Sequence, residues 1–306
     1  MLTYLLRRLA GTIPVLLAVS IFVFGFVHAL PGDPARLVAG PEASPADIAA
    51  IQQDMGLDGP LWSQYLRWAG HMLQGNLGRS TKTHATVAEV IGERFMPTLW
   101  LTLVAMAWST IAGIAIGVIS GMRRGKLIDR AGMVLAISGV SFPSFWLGLL
   151  LIDLFSVHLG WLPTGGYGTW RQFVLPSFCL GIGVAAVMAR FTRSAFIETA
   201  SEDFVRTARM KGVSEPRVAW KHIFGNALIP VITLTGLQFG FLLGGAIVIE
   251  VVFSWPGLGR LLVDSVGFRD YPVIQAEIML FSLEFVLINL AVDLLYAVAN
   301  PEIRLR

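Results

Sequence analysis

Pro97 to Ser120 reads PTLWLTLVAMAWSTIAGIAIGVIS, 24 residues without one Asp, Glu, Lys or Arg. A helix needs roughly 20 mostly apolar residues to cross the hydrocarbon of a bilayer. A charge at its centre costs about 2.5–3.5 kcal/mol on insertion scales. The stretch therefore predicts a membrane-spanning helix, and five more stretches resemble it: Leu9–Leu30, Ala131–Val157, Phe173–Ala189, Ala227–Ile249 and Ala276–Ala299. Composition agrees, with 55% hydrophobic and only 14% charged residues, where soluble domains carry about 25% charged. The expected fold class is an all-α integral membrane protein of six transmembrane helices.

Arg7 and Arg8 precede an apolar run of 22 residues, longer than the roughly 7–15 of a signal peptide's core. We read Leu9–Leu30 as a retained anchor. Fifteen of the 23 Lys and Arg fall on one side if the N-terminus is inside, which predicts that both termini are cytoplasmic. The net charge of +3 is too small to point to nucleic acid. Cys179 is the single cysteine, so neither an intrachain disulfide nor a cysteine metal site is expected.

Two polar stretches interrupt the spans. Pro31–Met96, on the outer side, opens Pro-Gly-Asp-Pro and carries Trp62, Tyr65 and Trp68 at helical spacing; it is either a structural cap or a surface for a partner. Arg190–Asn226, on the inner side, repeats Phe196, Ala200, Phe204 and Ala208 every fourth residue, one apolar stripe along a helix. Glu202 and Arg206 stand at the favourable i,i+4 spacing. Gly212 is placed to end this helix in left-handed backbone. Ser214 and Pro216 mark the start of a second short helix. Helix, glycine turn and helix could plug a partner's groove or lie on the lipid surface.

Gly113, Gly117 and Gly121 in the second span, and Gly236, Gly240 and Gly244 in the fifth, lie four apart, a spacing that lets helix backbones approach closely in lipid. Pro143 and Pro230 are expected to kink the third and fifth spans. Ionisable residues at membrane depth mark bundle interiors or water-filled routes, so Asp153 and Glu284, with Asn289 nearby, are candidates to face a cavity. Glu250, Glu277 and Asp293 also lie near or within spans. No GxxxxGK[ST] run occurs: Gly125-Lys126 is followed by Leu127 and preceded by Ser120 where a glycine belongs. HExxH and GxSxG are missing too, so an enzyme, a bound cofactor and a metal centre are not expected.

Glu202-Asp-Phe-Val-Arg-Thr-Ala-Arg-Met-Lys-Gly212, with Asn226-Ala-Leu-Ile-Pro230 beyond it, resembles the coupling loop of type I ABC importer permeases. Ala208 and Gly212 match the family's Glu-Ala-Ala…Gly signature. Arg206 and Thr207 replace its first two residues, and Leu228-Ile-Pro230 closes late, as in the dipeptide/oligopeptide/nickel branch. Met1–Arg8 with Pro31–Pro34, Phe253-Ser-Trp-Pro-Gly-Leu-Gly-Arg260, Arg269-Asp-Tyr-Pro272 and Asn300-Pro301 also resemble that branch. Pro34–Ala43, Arg94–Thr102 and Val273–Ile278 are most similar to permeases of glutathione importers.

The resemblance implies residues 1–30 as an N-terminal anchor, 31–96 as a periplasmic segment, 97–299 as a five-helix permease core with the coupling loop at 190–226, and 300–306 as a cytoplasmic tail. It implies a second homologous permease, ABC ATPase subunits that carry out ATP hydrolysis, a periplasmic substrate-binding protein and surrounding membrane lipid as partners. Glu202, Arg206, Thr207, Ala208, Lys211 and Gly212 would form the ATPase-coupling element. The competing reading is a proton-coupled secondary transporter with Glu284 or Asp153 as carrier. It predicts inverted repeats, and the two halves share no self-similarity.

Overall fold

The computed structural model describes residues 2–29, 43–54 and 59–299. The Pro31–Pro34 stretch, Asn300-Pro301 and the tail 300–306 lie outside the described residues. Every regular element among the described residues is helical. They are α1 (Leu2–Ala29), α2 (Pro45–Asp54), α3 (Leu61–Leu73), α4 (Val87–Met122), α5 (Leu127–Ser141), α6 (Ser144–Leu151), α7 (Trp170–Ala200), α8 (Asp203–Met210), α9 (Glu215–Arg217), α10 (Gly225–Val252), α11 (Leu258–Phe268) and α12 (Tyr271–Ala299), with π-helical turns at Ile152–His158 after α6 and Val218–Phe224 after α9. Five helical stretches, and a sixth if α5 and α6 count as one bent span, are long and apolar enough to cross a membrane.

Several boundaries differ from those the sequence predicts, each for a local reason. The second span starts ten residues early, at Val87. Ahead of it Thr86 and Glu89 form a capping box, with Thr86 N–H donating to Glu89 Oε2 at 3.2 Å and Glu89 N–H to Thr86 Oγ1 at 3.3 Å. The fourth, expected at Phe173–Ala189, runs from Trp170 to Ala200 and carries Pro176 inside it. Hydropathy marks where lipid ends, whereas a helix continues until its hydrogen bonding is broken, so Arg190 and Arg193 belong to α7 and not to a loop. The fifth begins at Glu215: α9 passes through a π-helical turn, Val218–Phe224, directly into α10. Ser214 takes the N-cap position of α9 without a side-chain capping bond.

The third span is broken, not kinked. Phe142 is extended (φ −95°, ψ 131°) because the residue before a proline is driven out of the helical region. Pro143 then starts α6 at 98° to α5. Pro230 causes no comparable interruption and lies inside continuous α10.

The described residues form two compact units. The first holds Pro97–Gly259 and the chain from Leu287; the second holds Leu2–Met96 and Arg260–Val286. In the first, α4, α7 and α10 meet around Leu101, Cys179, Met188, Leu242 and Ile249, all buried. Side chains such as Ile111, Leu135 and Phe241 point outward, where lipid is their solvent. Between helices in lipid no hydrophobic force acts, so close packing carries the association. A Cβ on Gly113 or Gly117 would strike the Ala185 and Ala189 carbonyls of α7, and one on Gly121 the Phe196 ring. Gly236 abuts Val292 of α12, Gly240 is half-buried, and Gly244 faces open space while Gly245 touches Leu180. The α10 row is therefore not one continuous contact. In the second unit Val27, Tyr271 and Ile274 form a small core.

Candidate functional site

The polar segment after α7 folds as a seated helix. At Glu202 the backbone turns extended (φ −68°, ψ 148°) and α8 starts afresh at Asp203. That break resets the helical phase. Val205, not Phe204, therefore turns inward with Ala208, and together they pack on Phe196 of α7, Val118 of α4, Val218 and Ile223. Phe204 is exposed, so of the stripe expected through Phe196, Ala200, Phe204 and Ala208 only Phe204 falls outside the cluster, Ala200 being half-buried against it. Glu202 is the N-cap residue, outside the turns that an i,i+4 pair with Arg206 requires. The ion pair of this region joins Arg209 to Glu215 at 2.9 Å.

The helix ends in a Schellman motif. Gly212 has φ +74°; its N–H donates to Arg209 O at 2.9 Å, and Val213 N–H donates to Ala208 O at 3.2 Å. Val213 then packs into the same apolar cluster as Ala208. What remains outward is Phe204, Arg206, Thr207, Met210 and Lys211: two large apolar side chains flanked by two cations on a rigid, eight-residue helix. Such a surface can bury its apolar residues only against another molecule.

Sequence reasoning missed how this end is anchored. Arg193 of α7 reaches Asp129 at the start of α5 with a two-pronged contact, Nε to Oδ1 at 2.5 Å and Nη2 to Oδ2 at 2.8 Å. Gly125 N–H donates to the same carboxylate at 2.8 Å. Asp129 is buried, and the planar guanidinium matches it in the geometry that makes Arg–carboxylate pairs strong. The partners are 64 residues apart in the chain, and no local pattern links them.

A second buried carboxylate sits at the far end of the same unit. Thr98 Oγ1 donates to Glu250 Oε1 at 2.5 Å and accepts from Leu258 N–H at 2.8 Å. The segment between them, Phe253–Gly259, folds inward with Phe253, Trp255 and Leu258 buried. Twenty residues of α4 separate Thr98 from Val118 beneath α8, a rise of about 30 Å, which matches the hydrocarbon thickness of a bilayer.

The three candidate cavity residues do not form one cluster. Asp153 is exposed on a π-helical turn and lies 3.4 Å from His158. Glu284, in the second unit, is half-buried, with one carboxylate oxygen shielded from solvent and lacking a hydrogen-bond partner. Asn289 belongs to the first unit and is also half-buried. Among the described residues no group of His, Cys, Asp and Glu is arranged to hold a metal ion.

The profile of the family described as "binding-protein-dependent transport system inner membrane component" matches residues 113–305, and its N-terminal companion matches residues 1–102. The glutathione transport system permease protein GsiC of Salmonella paratyphi A is 60% identical over 304 residues, covering 99% of each chain. That of Escherichia coli K12 is 59% identical over the same span. Among solved structures, the inward-facing MetNI methionine ABC transporter superposes with a TM-score of 0.59 at 20% identity, over 69% of this chain and 96% of that one. An amino acid ABC transporter gives 0.55 at 18%, over 68% and 92%. Both share the fold.

Proposed function

This chain belongs to the family of binding-protein-dependent transport system inner membrane components, and on that premise we propose that it is a permease subunit of an ATP-driven importer of glutathione or short peptides. It resides in the bacterial inner membrane with both termini in the cytoplasm. The observation that carries the reading is the exposed face of α8, a docking surface on a helix already fixed from behind. Full-length identity to glutathione permeases supports the cargo class.

The family resemblance supports a division of labour. ATPase subunits on other chains receive α8, a second homologous permease completes the path, and a substrate-binding protein delivers cargo from the periplasm to the segment 31–96. ATP closes the ATPases and pulls the two α8 helices together. The shift cannot exceed the difference in ATP affinity between the two states. Because Val205 and Ala208 tie α8 to α7 and α4, a displacement of α8 moves the ends of two spans.

Affinity purification of the tagged chain in mild detergent tests the assembly. A P-loop ATPase and a second permease should co-purify. A chain that emerges alone and moves solute under a proton gradient would instead be a secondary transporter.

Gly212→Glu tests the surface. The site is spacious, but φ +74° is strained for any residue with a Cβ, by roughly 1–2 kcal/mol, and the new carboxylate lies near Glu215. The variant should insert normally yet retain less ATPase. Gly212→Asn, which tolerates left-handed backbone, should keep most of it. Normal uptake by Gly212→Glu would remove α8 as the coupling element.

A further inference from the structure

The second unit contains a cavity of about 1000 Å³ that the transport reading has not used. Its walls come from α1, Gln53 of α2, α3, the chain from Gly75 to Ala88 and the start of α12. The lining carries Arg67 and Arg79 with His28, His71 and His84, and among the described residues it includes no Asp or Glu. Amide groups from Gln64, Asn76 and Gln275 and the rings of Trp68 and Tyr271 lie among them, with apolar side chains such as Val27, Met72 and Leu77. An open site of one sign, with amides and aromatic faces between the cations, favours a small anion that carries amides of its own.

The walls are fixed in advance. Asp270 accepts from Ser80 Oγ, from Thr81 N–H at 3.1 Å and from Lys82 N–H at 3.4 Å, which holds the loop. Arg79 donates Nε and Nη2 to His84 O at 3.1 and 2.7 Å, so its position is set by the loop. His28 is held between Phe24 O at 2.8 Å and Gln64 Oε1 at 3.1 Å. A wall ordered beforehand leaves less ordering entropy to be lost on binding. Arg67 comes from α3, so two guanidinium residues on separate elements line one space.

We propose that this cavity is a binding site for a short peptide bearing free carboxylates, a receiving site for anionic cargo on the outer side of the membrane. The proposal rests on the importer reading, which sets the orientation and the cargo class. Arg67 and Arg79 pair with the carboxylates, and the amides and rings take the peptide backbone and apolar atoms.

The test uses the assembled permease–ATPase complex in lipid nanodiscs, without the binding protein, and reduced glutathione as probe. Saturation-transfer NMR titration should show saturable binding that weakens about tenfold in Arg67→Gln and less in Arg67→Lys. Glutathione with both carboxylates amidated should compete poorly. Arg67 is exposed, so the elution volume of the variant complex should stay at the wild-type value. A complex that hydrolyses ATP but binds glutathione equally with and without Arg67, or not at all, overturns the site while leaving the importer reading intact. So does an Arg67→Gln complex that keeps glutathione but, once the binding protein is added in a second measurement, lacks the ATPase stimulation that wild type shows, which would make the cavity a seat for an acidic loop of that protein. Purification without an ATPase overturns the reading beneath it.

Discussion

Asp129→Ala should lower the stability of the first unit by about 3 kcal/mol and reduce uptake further than the loss of folded protein explains. Removing one partner of a buried ion pair leaves the other charge uncompensated, typically at about 3–5 kcal/mol. Arg193 keeps 26% of its side chain exposed and can turn partly towards water, which places the expectation at the lower end. The substitution also strips Gly125 N–H of its acceptor. Arg193→Lys should fall between, since an ammonium cannot reproduce the two-pronged contact. The functional excess arises because Phe196, three residues beyond Arg193, is the floor on which Val205 and Ala208 rest. Loosening α7 there lets α8 move without moving the spans. Thermal melting of the detergent-solubilised complex, paired with uptake normalised to the amount of assembled complex, checks both parts. A melting temperature within a degree of wild type would mean that the pair contributes nothing net.

The spans were legible because charge-free runs such as Pro97–Ser120 have no other way to be stable, and lipid thickness fixes their length. Their ends were not, because hydropathy registers the lipid boundary and not the last hydrogen bond: α7 runs past Arg190 and Arg193 to Ala200. Thr86 with Glu89 was a readable start signal. Phe142-Pro143 announced a break, though its 98° depends on what α5 and α6 pack against. In the segment proposed for coupling the glycine turn was readable from residue type, whereas Val205 takes the place of Phe204 on the buried face once the chain breaks at Glu202. The two buried carboxylates were out of reach for another reason. Asp129 with Arg193 and Thr98 with Glu250 are 64 and 152 residues apart, and only the packed helices bring them together.

Gly257→Ala should be strongly destabilising for a single added methyl. A Cβ at Gly257 would fall on the Glu250 carboxylate and on Thr98 Oγ1, the two groups that hold Phe253–Gly259 against the bundle. Gly259 is backed in the same way by the Ile247 backbone, so the segment cannot slide along α10 to make room. Overpacking alone costs about 1–3 kcal/mol. Displacing the carboxylate breaks the bond from Thr98, and displacing Thr98 Oγ1 takes the acceptor from Leu258 N–H, each about 1–3 kcal/mol when buried. Thr98→Ser, which keeps the hydroxyl, should be mild. Thr98→Val, which loses it without adding bulk at Gly257, should be intermediate. The ordering of the three in melting temperature separates the hydrogen bonds from the steric clash: if Gly257→Ala and Thr98→Val prove equal, the methyl adds nothing and the segment is held by the Thr98 hydroxyl alone. If Gly257→Ala melts as the wild type does, Phe253–Gly259 is free to shift outward. The Thr98–Glu250 contact would then not fix that end of the permease.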